Sequence, residues 1–360
     1  MSTHNKLTFI EIARVFGILV VVLGHTIGLT VTGAEDSKLY LIISPLIRFV
    51  VPLFFMISGL VLGLHHRNSD YRLDVNRFWR RRLHILVLPF LAWNIVYMLV
   101  LQVAQGQTIM NLQTLFNLTT GYVHLYYIFV LLQFLLLYTL LSQHFSTRAL
   151  LASVLLAALS SIAFYAISDD LLWTLGPDQH QFEWHYGKLF CAWAVFFFWG
   201  LWLGYSQTAL DWLRKRQWWL LLAAVCAYVP YFLETRDEFL RYGSFARDYF
   251  LLAGLPYQFI AANWLLGFLY GFETRMRASP LMMRIASFGP YVFGVYVAHL
   301  AVLVILVYLW NTFLPAAPAG ITILVIAPLT LLLTIAFMRL CYLPPFRFLS
   351  VVLFGARGSK

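Results

Sequence analysis

The chain has 360 residues, of which 61% are hydrophobic, 18% are aromatic and only 11% are charged, and its mean hydropathy is +0.78. A soluble domain carries about a quarter charged residues, so this composition excludes a water-soluble globule and predicts a polytopic membrane protein. A membrane-spanning helix takes roughly 20 residues, which leaves room for about ten spans and none for a folded domain outside the membrane.

Long apolar runs separated by polar segments predict an all-α, polytopic transmembrane helical bundle of about ten helices, forming a single domain over residues 1–360. The seventh run is the weakest, because it is short and contains Pro230. The predicted spans are 9–31, 40–64, 83–103, 123–142, 149–167, 187–206, 218–233, 248–272, 291–312 and 320–341.

The placement of charge predicts the orientation of the chain. With the N-terminus inside, most of the 25 Lys and Arg residues lie in inside segments, whereas most of the 15 Asp and Glu residues lie in outside segments. Cytoplasmic segments of membrane proteins carry the excess of Lys and Arg, so ten spans place both termini in the cytoplasm. The net charge of +10 therefore marks the inner face and predicts no nucleic-acid partner.

The cysteines and loop histidines predict no metal site and no disulfide. Cys191, Cys226 and Cys341 all lie inside apolar runs and show no metal-ligand spacing. His180 and His185 share the outer loop 168–186, but no further residue pattern supports a metal site there.

Ionisable residues inside a membrane span are costly and usually functional, and the first span contains Glu11, Arg14 and His25. Eleven residues separate Arg14 from His25, so at about 100° per residue the two lie on one face of a helix. Glu11 precedes Arg14 by three residues and lies on a neighbouring stripe. At about 1.5 Å per residue, His25 is roughly 16 Å deeper in the membrane than Arg14.

Two interpretations of this stripe stay open. In the first, Arg14 extends its charge to the interface and His25 is a hydrogen-bonded packing residue. In the second, which the shared face favours, His25 is a general base. An imidazole takes a proton from a hydroxyl near neutral pH, and burial without a partner keeps it neutral.

Two further segments each allow a packing or anchoring role and a binding role. In the second span, Pro52 frees a backbone carbonyl and Ser58-Gly59 lets another helix approach closely, which favours packing. The basic segment 65–82 either anchors the inner face on anionic lipid or presents guanidinium groups to phosphates. Its last four arginines are Arg77, Arg80, Arg81 and Arg82.

Polar side chains also lie in later spans. His124 and Tyr126 open the fourth span, and Tyr296 and His299 lie three residues apart on one face of the ninth. Taken singly, each of these side chains more often forms an interhelical hydrogen bond than takes part in catalysis.

Five motifs together resemble the membrane-bound acyltransferase-3 family. The two specific ones are an arginine followed eleven residues later by a histidine, here Arg14 and His25, and Phe-Phe-x-x-Ser-Gly, here residues 54–59. The looser motifs are a basic stretch leading to a proline at 77–89, a His-Leu-aromatic motif at 124–129 and a Ser-to-His element at 287–299. They lie in the family's order and spread over nearly the whole chain.

The chain departs from the family pattern at two places. Glu11 stands where many members have Asp, which keeps the charge but changes its reach. Arg77 and Arg80 match the spacing of the family's paired arginines, whereas Arg82 has the usual distance from the proline. The alignment of the donor-binding arginines therefore stays open.

The resemblance implies an enzyme, an O-acyltransferase that moves an acyl group, most often acetyl, from cytoplasmic acetyl-CoA or another acyl-CoA to a hydroxyl of a cell-envelope glycan or lipid-linked sugar. The acyl-CoA is a co-substrate, and no bound cofactor is expected.

The resemblance also implies residue roles. The catalytic set is His25 as general base with Arg14 and Glu11, and Arg14 and the arginines of 77–82 bind donor phosphates. Direct transfer is favoured, with a covalent acyl-histidine as the alternative. The candidates for substrate or oxyanion contacts are Ser58, His124, Tyr126, Tyr296 and His299.

The resemblance further implies a multi-pass protein of the bacterial inner membrane, in contact with membrane lipids, that O-acetylates a surface polysaccharide and lacks the esterase-like domain of some members. A transporter that exports a polysaccharide or lipid-linked sugar through the same bundle is the alternative function, and succinyl-CoA is the alternative donor. The sequence carries no prediction of the acceptor sugar or of the oligomeric state.

Overall fold

A computed structural model describes residues 7–30, 37–67, 73–105, 112–175, 187–206, 208–242, 250–315 and 317–356. These residues are predominantly helical, and no β-strand occurs among them. Within the described ranges, eight helical segments are long and apolar enough to cross a membrane. The predicted class, an all-α polytopic membrane protein, is confirmed.

The α-helices are α1 (Thr8–Thr30), α2 (Ser37–Ile47), α3 (Val50–Arg67), α4 (Val75–Arg82), α5 (Leu88–Gln105), α6 (Leu112–Thr120), α7 (Tyr126–Leu141), α8 (Thr147–Leu175), α9 (Ala194–Tyr205), α10 (Ala209–Lys215), α11 (Gln217–Tyr242), α12 (Gly254–Gly271), α13 (Glu273–Ala278), α14 (Pro280–Ala286), α15 (Val292–Phe313), α16 (Ala319–Cys341) and α17 (Arg347–Phe354). Short 3-10 turns precede α7, α8, α9, α15 and α17, and a π-helical turn, Leu83–Val87, joins α4 to α5.

Each of the ten predicted spans coincides with helical residues, but two of them fall outside the eight long apolar segments. The sixth is a shorter apolar helix, Phe190–Tyr205, and the eighth is α12. The sequence predicts a short seventh span broken at Pro230, but α11 runs for 26 residues through this proline. Residues 31 and 248–249 at the predicted span ends lie outside the described residues.

The described residues form two compact units. The first holds the described parts of Met1–Gly24, Val31–Arg72 and Leu141–Gly289, and the second holds those of His25–Thr30, Leu73–Leu140 and Pro290–Lys360. The helix α1 contributes residues to both units. The single domain over residues 1–360 stays a prediction.

Several residues that the sequence analysis used lie outside the described residues. These are His180, His185, residues 68–72 of the basic segment and the chain ends 1–6 and 357–360. The cytoplasmic location of both termini therefore also stays a prediction.

In the first unit, α3 and α9 pack with their backbones in direct contact. Gly59 and Gly63 lie on α3, and Gly200 and Gly204 lie on α9. A Cβ atom added at any of these four positions would overlap a carbonyl oxygen of the opposite helix. Small residues at this spacing let membrane helices approach closely. The packing role predicted for the Ser58-Gly59 segment is therefore confirmed.

In the second unit, two hydrogen bonds from α5 hold neighbouring helices. The Trp93 indole N–H donates to the Leu353 carbonyl of α17 at 2.9 Å. The Tyr97 hydroxyl donates to the Val297 carbonyl of α15 at 2.8 Å, and both tyrosine and tryptophan are buried. These bonds fix α15, the helix that carries Tyr296 and His299.

The third span is longer at its N-terminal end than the sequence predicts. The helix α4 begins after Asp74, whose carboxylate accepts the Arg77 backbone N–H at 3.0 Å and so caps the helix. The π-helical turn then continues without interruption into α5. The apolar segment therefore starts at Val75, so that the arginines of α4 form its first turns.

Candidate functional site

Three histidines from separate helical segments meet in the second unit. His25 lies in α1, His299 in α15 and His124 in the 3-10 turn that precedes α7. The ring centroids of His124 and His299 are 4.9 Å apart, and the His25 centroid lies 5.3 Å from His299 and 5.7 Å from His124. His299 and His124 are buried and His25 is half-buried. The structure thus brings together three candidates from the first, fourth and ninth predicted spans; we call them the histidine cluster.

The turn that carries His124 has an unusual backbone. Gly121 has φ +101°, in the region that favours glycine, and Val123 has φ +43°, which is rare for a β-branched residue. The buried Asn94 of α5 accepts the Tyr122 N–H at 2.8 Å and so supports the turn. Strained backbone of this kind persists where surrounding contacts enforce it, and it is enriched at functional sites.

One backbone carbonyl determines which nitrogen of each buried histidine carries its proton. The Tyr296 carbonyl lies 2.9 Å from His124 Nε2 and 2.8 Å from His299 Nδ1. A carbonyl oxygen only accepts, so both of these ring nitrogens are N–H donors. The Tyr296 hydroxyl in turn donates to the His124 carbonyl, which makes the contact between these two residues reciprocal.

The remaining nitrogen of each ring is therefore a bare acceptor when the imidazole is neutral. His124 Nδ1 and His299 Nε2 are both buried, and neither has a hydrogen-bond partner among the described residues. Buried polar atoms without a partner are rare and call for a functional or structural reason. The described part of the chain contains no group of three or more His, Cys, Asp or Glu residues placed to hold a metal ion.

Two tyrosines that the sequence analysis did not single out complete the surroundings of the cluster. The ring of Tyr97 lies 5.3 Å from that of His124, edge to face, and its hydroxyl also accepts the Ala301 N–H at 3.3 Å. The ring of Tyr127 lies 5.5 Å from that of Tyr296. A phenol hydroxyl inside an apolar span is the sequence feature by which these two tyrosines could have been identified as candidates.

In the first unit, Glu11 and Arg14 form an ion pair on α1. Arg14 Nη1 lies 3.2 Å from Glu11 Oε1, and the two side chains are 32% and 14% exposed. The carboxylate lies against the backbone of Gly289, where an added Cβ atom would overlap it. Glycine is therefore required at position 289 to leave room for the Glu11 carboxylate.

A carboxylate distant in sequence caps the start of α1. Glu273 Oε1 accepts the Thr8 N–H at 3.0 Å, and Oε2 accepts the Phe9 N–H at 2.7 Å. Arg277 Nε donates to Glu273 Oε1 at 2.6 Å. The first N–H groups of a helix lack internal partners, and an anion there is stabilising. No local pattern identifies Glu273, because its partners lie about 265 residues away.

The positions of Ser58 and Tyr126 do not assign either residue a role in substrate binding. The Ser58 hydroxyl donates to the Phe54 carbonyl of its own helix at 2.8 Å. Tyr126 is the first residue of α7 and is half-buried. Their roles in substrate binding stay predictions.

The arginines of α4 divide between two faces of that helix. Arg82 is half-buried, with its guanidinium carbon 4.9 Å from the centroid of the Phe78 ring, and Phe78 packs against Tyr138. The other three are exposed: Arg77, Arg80 and Arg81. Arg77 and Arg80 are three residues apart and so share one side of the helix.

Comparison with known proteins identifies the family of the chain. A family model described as an acyltransferase domain matches residues 7–341. Neither curated proteins nor solved structures gave a match. The match covers all five motifs and nearly the full length, and it agrees with the eight apolar helices of the described structure. The chain therefore belongs to the membrane-bound acyltransferase-3 family and is a multi-pass membrane acyltransferase.

Proposed function

We propose that this acyltransferase transfers an acetyl group from cytoplasmic acetyl-CoA to a hydroxyl of a cell-envelope glycan or lipid-linked sugar in the bacterial inner membrane. Family membership supports acyl transfer in general. The basic segments assigned to the inner face support a cytoplasmic, phosphate-bearing donor. The same scheme holds for succinyl-CoA, which changes only the size of the acyl pocket.

His25 acts as the general base in this proposal. Its ring nitrogen takes the proton of the acceptor hydroxyl while the hydroxyl oxygen attacks the thioester carbonyl. The carbon–sulfur bond then breaks, and the departing CoA thiolate takes the proton from the imidazolium. The products are the acyl ester and free CoA, so no covalent enzyme intermediate is required.

The observation that carries the proposal is the contact of half-buried His25 with two buried imidazoles that each keep a bare nitrogen. An imidazolium formed at His25 is a hydrogen-bond donor at both ring nitrogens. His124 Nδ1 and His299 Nε2 are acceptors on neighbouring rings. In the described structure neither nitrogen has a hydrogen-bond partner. In the proposed protonated state, the His25 nitrogen that faces away from the acceptor hydroxyl donates to one of them, and a hydrogen bond to a charged group contributes about 1.5–3 kcal/mol.

This role differs from the oxyanion role that the resemblance implies for His124, Tyr296 and His299. In the described structure, the N–H groups of both histidines and the hydroxyl of Tyr296 already donate to backbone carbonyls. We therefore favour His124 and His299 as acceptors that assist His25. Tyr296 is favoured as the residue that positions both rings.

Donor phosphates are assigned to the exposed arginines of α4 and to Arg14. Arg77, Arg80 and Arg81 are exposed to solvent, and planar guanidinium groups bind phosphate in a bidentate manner. Glu11 pairs with Arg14 and so holds its guanidinium in a fixed orientation on α1.

Substitution of His25 tests the base. His25→Ala is expected to reduce acylation by a factor on the order of 10²–10⁴, the usual contribution of a positioned general base. The acyl content of envelope glycans is measured by mass spectrometry, with and without the protein, which also identifies the acyl group and the sugar. Membrane insertion and amount of protein are measured in parallel.

His144→Ala is the matched control, because His144 is exposed at the end of the fourth span and is expected to leave acylation unchanged. Normal acyl content in the His25→Ala variant would overturn the catalytic role. Loss of polymer export with unchanged acyl content per sugar would instead support the transporter.

A further inference from the structure

A cleft of about 540 Å³ opens in the first unit where α3 ends. None of its lining residues belongs to the histidine cluster or to α4. The lining residues that matter here are His66, Arg67, Thr147, Trp202, Tyr205 and Ser206. They come from the ends of α3 and α9 and from the start of α8. By the predicted topology, this is the cytoplasmic side of the protein.

One part of the cleft is suited to an anion. Arg67 is half-buried and uses Nη1 to bond the Ser206 carbonyl at 3.3 Å, which orients its guanidinium and leaves other donors of the five. Thr147 is the first residue of the 29-residue helix α8. The N-terminal end of a helix carries partial positive charge and binds phosphate groups, so it adds to the charge of Arg67.

The other part of the cleft is aromatic. Trp202 is half-buried, with its ring 4.8 Å from that of Trp199 and tilted by 33°. Tyr205 lies 6.0 Å from the His66 ring, which packs against Phe145 at 5.2 Å. These contacts hold the indole and the phenol in place, and fixed aromatic faces are the surfaces on which nucleobases stack.

The cleft combines the Arg67 guanidinium, the N-terminus of α8 and aromatic side chains. Its described lining residues include no Asp or Glu. We propose that this cleft binds a phosphorylated nucleoside, with a phosphate at Arg67 and Thr147 and the base on Trp202 or Tyr205. A phosphate alone would leave the aromatic faces unused, and this favours a nucleotide over a lipid headgroup.

The proposal deepens the proposed function and rests on it in one respect. The acyl-CoA donor of that function carries a 3′-phosphoadenosine at the end remote from the acyl group, so the donor contains a ligand of the class that the cleft is proposed to bind. The phosphate chemistry is shared with anionic lipid headgroups, so the experiment needs an arm for each source.

Adenosine 3′,5′-bisphosphate is the probe for the nucleotide arm. Binding is measured on the purified full-length protein in nanodiscs of phosphatidylcholine alone, by calorimetry or by quenching of tryptophan fluorescence. Binding is expected for the unmodified protein, with about tenfold or greater weakening in Arg67→Gln, since a charge-assisted bond is lost. Trp202→Leu is expected to weaken the bisphosphate more than inorganic phosphate.

Arg148→Gln is the matched control, because Arg148 is exposed beside Thr147 and does not line the cleft; it is expected to change binding less than twofold. Arg67→Lys keeps the charge and is expected to bind with intermediate affinity, which separates binding from misfolding.

The lipid arm uses the same nanodiscs with phosphatidylglycerol added. Phosphatidylglycerol binding that depends on Arg67, without bisphosphate binding in phosphatidylcholine, would overturn the nucleotide assignment. Equal bisphosphate affinity of Arg67→Gln and the unmodified protein would overturn the site.

The His25→Ala variant distinguishes the two proposals. It is expected to bind the bisphosphate normally while failing to transfer the acyl group. Lost transfer in His25→Ala together with no bisphosphate binding in any form would remove the cleft proposal and leave the proposed function standing. Normal acyl transfer in His25→Ala would overturn the proposed base. The bisphosphate measurement would still decide whether the cleft binds a nucleotide.

Discussion

At the scale of single residues, the Tyr296 carbonyl is the atom on which the histidine cluster depends. It accepts an N–H from His124 and another from His299. The two histidines use different nitrogens for this bond, Nε2 in one and Nδ1 in the other. The amide nitrogen of glutamine reaches about as far as Nε2, and that of asparagine about as far as Nδ1, so amide substitutions separate the two functions of each ring.

We predict that His124→Gln and His299→Asn keep their bond to the Tyr296 carbonyl but lose the bare ring nitrogen. The rate of acyl transfer is expected to fall about 10–100-fold, equivalent to a lost hydrogen bond to a charged group. The melting temperature in detergent is expected to stay close to that of the unmodified protein. Single-turnover kinetics and thermal denaturation measure the two quantities.

The exchanged substitutions are the control. His124→Asn and His299→Gln place the amide where it misses the Tyr296 carbonyl, and are expected to lower both the rate and the melting temperature. Full activity in His124→Gln and His299→Asn would refute the acceptor role.

Most residues of the cluster are identifiable from the sequence, because a polar side chain in an apolar span is conspicuous. His25, His124, Tyr296 and His299 were found in this way. The sequence does not predict that these residues lie close together, since their proximity depends on how three separate segments fold. The sequence also does not predict which ring nitrogens of the two buried histidines carry protons. Those positions follow from a backbone carbonyl, and every residue has one.

At the scale of helices, α3 and α9 pack in the first unit with their backbones in contact. Four glycines let the two backbones touch. In a membrane, where lipid is as apolar as the helix surfaces, such close contact is a principal source of helix association.

We predict that Gly200→Ala destabilises the protein by about 1–3 kcal/mol, since the new methyl group overlaps the Met56 carbonyl of α3 and forces the helices apart. The melting temperature is expected to fall by a few degrees. Thermal denaturation of the purified protein, followed by its size distribution, is the measurement.

Gly320→Ala is the matched control. Gly320 lies in the first turn of α16, and an added Cβ atom there meets no heavy atom within 4 Å. The melting temperature is expected to be unchanged or slightly higher, since alanine favours the helix. Equal effects at positions 200 and 320 would contradict the packing argument.

The helical class follows from hydropathy, and each of the ten predicted spans contains helical residues of the described structure, although only eight described segments are long and apolar enough to cross a membrane. The details that hydropathy missed have physical causes. Pro230 does not end α11, because one missing N–H is tolerated in a membrane helix when neighbouring groups compensate. The charged α4 continues into the third span because Asp74 caps it and its Phe78 side packs against Tyr138.

At the scale of the whole molecule, the predicted orientation rests on the placement of Lys and Arg, and exposed tryptophans mark a membrane interface beside one of the basic segments. The indoles of Trp218 and Trp219 are 68% and 72% exposed at the start of α11, beside the basic residues 214–216. The Arg216 guanidinium lies 4.7 Å from the Trp212 ring. Tryptophan is enriched at membrane interfaces and Lys and Arg on the cytoplasmic side.

We predict that a cysteine at Gln143 is labelled by a membrane-impermeant maleimide only after permeabilisation, whereas a cysteine at Leu314 is labelled in intact cells. Both positions are exposed at helix ends, and they lie on opposite sides in the ten-span topology. Cys191, Cys226 and Cys341 are free thiols and are first replaced by alanine.

The reversed labelling pattern would place the arginines of α4 and the nucleotide cleft on the outer side, away from any CoA. Labelling of both positions in intact cells would show that a span is missing between them. Either result would require a different donor.

The capping of α1 by Glu273 has a consequence for the time course of synthesis. The first helix leaves the ribosome about 265 residues before the carboxylate that caps it. At 5–20 residues per second, the delay is on the order of tens of seconds. Until then, the amides of Thr8 and Phe9 lack the partner that the finished protein gives them. The helix that carries His25 therefore reaches its final anchorage only late in biogenesis, and a chain truncated before residue 273 would insert it without that anchor.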